Sequence, residues 1–120
     1  MNQNTNYSLQ LASAVVAPAY RRLKVVASGL ADLAGATDVF VGTNLQDADA
    51  TVVGRNIAAV QGKTIGIHYA TYGTSTALAA GDGIQGAAAG KITKLAAGTQ
   101  IGVALQAAAA DGDVIHVIYT

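Results

Sequence analysis

The sequence predicts a small, mainly β protein: an antiparallel barrel or sandwich-like domain preceded by an extended N-terminal arm. Short apolar segments with period-two alternation recur along the chain, and Gly, Asp and Ala clusters separate them. The alanine runs, such as Ala77–Ala80 and Ala107–Ala110, are each ended by glycine or Asp-Gly and are too short to nucleate a stable helix. We therefore expect one domain, divided into an arm over residues 1–19 and a β-rich body over residues 20–120.

The N-terminal region combines a polar lead with a short apolar stretch. Met1–Ser8 lacks any hydrophobic period, whereas the stretch from Leu9 to Val16 is largely apolar. Pro18 prevents a helix from continuing through it. We expect an arm that becomes ordered on a partner, which buries its apolar residues. Deleting residues 1–17 is then expected to leave the β domain folded.

The middle of the chain predicts several short strands. Tyr20–Ala27, Asp38–Gly42 and Thr51–Val53 carry the β-branched and aromatic residues typical of strands. Thr64–Tyr69 alternates, which places Ile65, Ile67 and Tyr69 on one face of a strand. Its Ile-Gly-Ile pattern recurs at Ile101-Gly102-Val103. This spacing indicates either a duplicated β unit or a chance match in a chain with 14 glycines.

The last forty residues, 81–120, read as a β meander and carry a family resemblance. Gly81-Asp82 and Gly90-Lys91 precede β segments, Ile101–Leu105 alternates, and Asp111-Gly112-Asp113 leads into the strand Val114–Tyr119. This order of segments resembles the C-terminus of the small capsid decoration, or cement, proteins of tailed bacteriophages.

The resemblance implies a structural role on a virion. Such a protein binds the outer capsid surface and stabilises contacts between major capsid protein subunits, and it is made in the host cytoplasm. The expected partners are the major capsid protein and further copies of the chain, as a homotrimer first and a homodimer second. The residues expected to contact the capsid are Leu9, Leu11, Val15, Val16, Tyr20, Arg21 and Arg22.

Composition argues against several other classes. Seven basic residues balance seven acidic ones, whereas nucleic-acid binding requires a basic surface. Cysteine is absent, which excludes disulfides and cysteine-based zinc sites. No stretch is long and apolar enough for a membrane helix, so we expect neither a nucleic-acid nor a membrane partner.

Three catalytic patterns occur in incomplete form. Gly81–Gly86 matches the dinucleotide-binding glycine motif, and Gly62-Lys63-Thr64 resembles the end of a phosphate-binding loop, but each lacks the following helix. Ser75 lies in a near match to a nucleophile elbow, a motif that requires a large parallel sheet. The two histidines, His68 and His116, lack the spacing of zinc ligands. We expect no enzyme activity, cofactor or metal.

Two other interpretations remain open at this point. The glycine-rich turns are compatible with a small soluble module that binds a carbohydrate or a peptide. A small hydrolase centred on Ser75 is the third interpretation. Binding that requires an assembled capsid lattice would separate the first interpretation from both alternatives.

Overall fold

A computed structural model describes residues 6–120, which form twelve strands and two short 3-10 turns at Ala27–Gly29 and Ala88–Gly90. The strands are β1 (Asn6–Gln10), β2 (Val16–Ala17), β3 (Arg22–Val25), β4 (Ala31–Leu33), β5 (Gly42–Asn44), β6 (Ala48–Asp49), β7 (Ile57–Gly62), β8 (His68–Thr71), β9 (Gly83–Gly86), β10 (Ile92–Lys94), β11 (Gly102–Ala104) and β12 (Val114–Tyr119).

The strands form two five-stranded antiparallel sheets and one small ribbon. The first sheet has the order β1-β7-β5-β3-β4, and the second has the order β10-β9-β11-β12-β8. Strands β2 and β6 pair as the ribbon. The prediction of a mainly β, sandwich-like fold is confirmed, although the sheets do not close into a barrel.

The two sheets are copies of one topology, which we call the first unit (residues 6–63) and the second unit (residues 68–120). Read from the other end, the first sheet is β4-β3-β5-β7-β1, and it matches the second sheet strand for strand about 60 residues later. The backbone hydrogen bonds repeat as well. Ala34 N donates to Arg22 O at 3.0 Å, and Leu95 N donates to Gly83 O at 2.9 Å.

Unusual backbone angles recur at the same places in both units. Each 3-10 turn contains a non-glycine residue followed by a glycine, both at positive φ: Ser28 (67°) with Gly29 (74°), and Ala89 (57°) with Gly90 (75°). Local conformations of this kind are strained for L-residues. Their repetition indicates that the units share a backbone design and not only a strand order.

Each unit has its own apolar core. In the first unit, Leu11, Leu23 and Val60 form a cluster with the buried alanines of the ribbon and of neighbouring strands. In the second unit, Ile84, Ile92 and Val117 lie at the centre of a larger cluster. This second cluster also contains Ala34 and Phe40 from the first unit, so it spans both units.

The prediction of an extended N-terminal arm is wrong for residues 6–19, the part of the arm that the structure describes. Strand β1 pairs along its whole length with β7, and Leu11 is only 2% exposed in the core of the first unit. Leu11 is therefore buried against this chain itself, Leu9 and Val15 are partly buried against the same core, and Val16 is exposed. The polar residues 1–5 of the expected arm lie outside the described residues.

Three predicted strands in the middle of the chain are wrong in whole or in part. Asp38–Val41 and Thr51–Val53 are loop and turn, and pairing starts only at Gly42 and at Ile57. The segment Thr64–Ile67 is also a turn, with Gly66 at a φ of 66°, and β8 begins at His68. The Gln61 side chain binds the carbonyls of Ile65 and Ile67 at 2.6 and 3.0 Å.

The structure contains a duplicated β unit, but the two copies are about 60 residues apart and not the 36 residues that separate the two Ile-Gly patterns. Because Ile65-Gly66-Ile67 is a turn, it is not the counterpart of Ile101-Gly102-Val103. That counterpart is Val41-Gly42-Thr43, since β5 and β11 hold the same place in their sheets.

Other expectations are confirmed. Val114–Tyr119 is a strand with the predicted bounds, β11 lies inside Ile101–Leu105, and β3 lies inside Tyr20–Ala27. The alanine runs are turns and loops. Across residues 6–120, no helix is long and apolar enough to span a membrane.

Candidate functional site: a sealed junction and an exposed apolar face

Arg22 joins the two units. Its side chain leaves β3 and is only 1% exposed, because the second unit covers it. Nη2 donates to Ala87 O and Lys91 O, both at 2.8 Å, and Nε also donates to Lys91 O at 3.1 Å. Its Cζ atom lies 5.2 Å from the centre of the Phe40 ring. The guanidinium thus satisfies carbonyls at the end of the second unit's β9–β10 hairpin.

His68 is the second buried polar group at the junction. Its Nε2 lies 3.1 Å from Lys63 O, an obligate acceptor, so Nε2 carries the proton. Nδ1 then accepts from the Thr43 hydroxyl at 2.9 Å. Burial lowers the pKa of His68, which favours this neutral form. The ring also makes an edge contact with Tyr119 at 4.9 Å, and burial raises the pKa of that phenol.

A cleft opens beside this junction. It has a volume of about 390 Å³ and is lined by residues of both units, including Arg22, Phe40, Lys63 and Gln85. Lys63 Nζ lies 4.8 Å from the Phe40 ring centre. The Arg22 guanidinium is already engaged by carbonyls, and Gln85 Oε1 accepts from two backbone amides of the 96–98 loop. Arg22 and Gln85 therefore stabilise the fold by these hydrogen bonds.

The outward face of strands β8 and β12 exposes several large apolar side chains of the second unit. Tyr69, Val114 and Ile118 are 46%, 45% and 41% exposed, and all three point away from the core. His116 stands opposite Tyr69 in the ladder, with the two ring centres 4.5 Å apart. Tyr20 extends the surface, since its ring lies 5.0 Å from that of Tyr69. We call these five residues the β8–β12 patch.

The structure divides the residues expected to contact a capsid into buried and accessible ones. Leu11 and Arg22 are buried, and Leu9 and Val15 pack against the first core. Arg21 is half-buried and donates from Nη1 to Ala89 O at 2.9 Å. This leaves Val16, which is exposed, and Tyr20, which belongs to the β8–β12 patch. The alternation of β12 in the sequence places Val114, His116 and Ile118 of that patch on one face.

The incomplete catalytic patterns fall on turns and strands. Gly83–Gly86 is strand β9, so no helix begins at the glycine-rich motif, and Gly62-Lys63-Thr64 is a strand end and a turn. Ser75 lies in an exposed bend. His68 points into the junction and His116 points outward, so they share no site. In the described part of the chain, no three His, Cys, Asp or Glu side chains group as metal ligands.

The fold has a counterpart among solved structures, although no protein-family model and no curated protein matches the sequence. The fold and its site define a two-unit antiparallel β protein whose units are joined through buried polar side chains. A solved structure with this fold is the N-terminal base of the head fiber protein gp8.5 of bacteriophage phi29. The TM-score is 0.73 at 15% sequence identity, and the match covers 96% of this chain and 94% of that one.

Proposed function

We propose that this protein is a structural component of a phage head, which binds the outer capsid surface and reinforces contacts between major capsid protein subunits. The observation that carries the proposal is the fold match to a head fiber base over nearly the whole of both chains. The C-terminal resemblance to capsid decoration proteins supports it independently of the fold.

The β8–β12 patch is the proposed capsid contact. Tyr69, Val114 and Ile118 together present apolar area that water would otherwise hydrate, and its burial contributes roughly 25 cal/mol per Å². Tyrosine is enriched at the energetic centre of protein interfaces. The patch contains no Asp, Glu, Lys or Arg, so docking there does not require desolvation of a permanently charged side chain.

The mechanism needs no bond chemistry. A protein that binds only the assembled shell stabilises it by mass action, and many copies on one shell add their contributions. We further propose that the protein is not an enzyme and that it acts as a homo-oligomer. A trimer is the first choice of oligomer and a dimer the second.

A co-sedimentation titration against undecorated capsids tests the capsid contact. We expect the chain to bind assembled capsids but not free capsid subunits. Tyr69→Lys should weaken binding at least tenfold, because it places an ammonium in an apolar contact. Val53→Lys is the matched control, since Val53 is fully exposed in a turn outside the patch. Equal affinities of the two variants would exclude the patch, and no binding by the parent chain would exclude the proposed function.

A further inference from the structure

The contact between the two units is head-to-tail, because it uses different surfaces of the two copies. The first unit contributes its leading face, formed by Arg21, Arg22, Ala36 and Thr43. The second unit contributes its receiving face, formed by His68, Gly86, Ala89, Gly90 and Lys91.

A head-to-tail contact between two copies leaves one face of each kind unused. The second unit still has a leading face, formed at the corresponding positions by Asp82, Gly83, Ala97 and Val103. The first unit still has a receiving face, formed by Tyr7, Val25, Ser28, Gly29 and Leu30. Gly29 and Gly90 show the difference directly. A Cβ at Gly90 would lie 2.8 Å from Arg22 O, whereas nothing lies within 4 Å of a Cβ at Gly29.

We infer that the free leading face of one molecule docks on the free receiving face of a second copy of this chain. The partner is a second copy because the two free faces have the backbone of the two faces already joined inside each molecule. Such a contact is heterologous, so repetition either closes a ring or extends a filament.

The free faces carry their bulky side chains at different positions from the faces of the internal junction. At the internal junction the long Arg22 side chain meets Gly86, whose missing Cβ would lie 3.1 Å from Arg22 Nη2. At the free faces the sizes are exchanged, since Gly83 replaces Arg22 and Val25 replaces Gly86. Val25 is 46% exposed in the single molecule. At the free leading face, Gln100 and Leu95 already cover Gly83, since a Cβ there would lie 3.1 Å and 3.2 Å from their side chains. In the inferred contact, Val25 of the second copy packs against these two side chains.

Two further positions fit the same arrangement. The internal Thr43–His68 hydrogen bond corresponds to Val103 against Tyr7, which is an apolar pair with Tyr7 exposed. The internal bond from Arg21 to Ala89 O corresponds to Asp82 against Ser28. Asp82 Oδ2 already accepts from Ala79 N at 2.9 Å and lies 3.6 Å from Lys94 Nζ, so its second carboxylate oxygen is the acceptor for the Ser28 hydroxyl. The inferred contact is therefore mainly apolar, whereas the internal junction is made by hydrogen bonds of Arg21, Arg22 and Thr43.

The inference can be tested by thiol cross-linking, because the chain contains no cysteine. At the internal junction a Cβ at Gly86 would touch the carbonyl of Ala36, and the corresponding free positions are Val25 and Ala97. An equal mixture of the single variants Val25→Cys and Ala97→Cys should give a disulfide-linked dimer under mild oxidation. Either variant alone should give at least tenfold less, because a heterologous contact does not bring like positions together.

Two controls decide the result. Val53→Cys, mixed with either variant, should not cross-link above background, since Val53 lies on neither face. Native mass spectrometry, at 12.0 kDa per chain, should show a multimer that Val25→Arg disrupts at least tenfold and Val53→Arg does not. A monomeric mass without mixed cross-links would overturn the inference, and so would Val25→Cys cross-linking chiefly to itself. Neither measurement uses a capsid, so neither one tests the proposed binding to a phage head.

Discussion

Individual buried polar groups decide how the two units are held together. Arg22 carries a charge into a position that is 1% exposed, which is tolerated because carbonyls of the second unit surround its guanidinium. His68 is buried in neutral form between a hydroxyl and a carbonyl. Both residues look like surface groups in the sequence, and both are structural.

His68 makes the stability of the protein depend on pH in the mildly acidic range. Its pKa in the folded state lies below its ordinary value of 6.5, so below that pH the unfolded chain binds a proton that the folded chain does not. The free energy of unfolding should therefore fall as the pH is lowered from 7.5 to 5, by up to about 1.4 kcal/mol per pH unit. Urea titrations at a series of pH values measure it.

The matched variants are His68→Gln and His116→Gln. The first should flatten the pH dependence and the second should retain it, because His116 lies on the outward face. The carboxyl groups of Asp38, Asp49 and Asp113 have lowered pKa values and lose their contributions below their ordinary value of 3.8, outside this window. Equal slopes in the two variants would contradict the assignment.

At the scale of the element, strands β5 and β11 show what the repeat requires. Each begins with a glycine, Gly42 or Gly102, that lies against the neighbouring strand. A Cβ at Gly42 would collide with the carbonyl oxygen of Gln61, and a Cβ at Gly102 would collide with that of Ile118. A side chain at Gly42 would push the central strand β5 away from β7, and one at Gly102 would push β11 away from β12.

Gly42→Ala and Gly102→Ala should therefore each lower the free energy of unfolding by about 3 kcal/mol. The comparison variant is Gly54→Ala, which combines a φ of 82° with open space around the Cβ. It should cost only about 1 kcal/mol, since it adds backbone strain without a collision. Chemical denaturation of the three variants measures both effects. A cost at Gly42 or Gly102 no greater than that at Gly54 would show that the strands can move apart freely.

At the scale of the whole molecule, the two units behave as one body because they share a core. Phe40 and Ala34 of the first unit lie in the hydrophobic cluster of the second, and the Phe40 ring meets Tyr119 edge-on at 4.8 Å. Separation of the units would also expose Arg22 and His68 with their acceptors. The free energy lost on separation is therefore large compared with the stability of either small unit.

We expect thermal unfolding in a single cooperative step, in spite of the duplicated topology. Differential scanning calorimetry should give equal calorimetric and van't Hoff enthalpies. Near-ultraviolet and far-ultraviolet circular dichroism should show the same midpoint. Two resolved transitions, or a van't Hoff enthalpy near half the calorimetric value, would mean that each unit folds by itself.

The sequence alone determines the secondary-structure class and much of the second unit. Alternation in Val114–Tyr119 indicates the strand and both of its faces, because a strand with one buried side must place apolar residues at every second position. Glycine and alanine clusters indicate the turns for a similarly local reason. The sequence also contains the signal of the true repeat, since Val41-Gly42 and Leu45-Gln46 correspond to Ile101-Gly102 and Leu105-Gln106.

Only the tertiary structure decides which apolar and charged residues are covered, since coverage depends on contacts between distant parts of the chain. Leu11 looks like part of an arm until β1 is seen paired with β7, and Arg22 looks like an anchor for a partner until the second unit covers it. Likewise, Ile67 is left exposed while the neighbouring His68 is buried. A buried polar group is stable only where other parts of the fold supply hydrogen-bond partners for it. A local sequence pattern does not specify those distant partners.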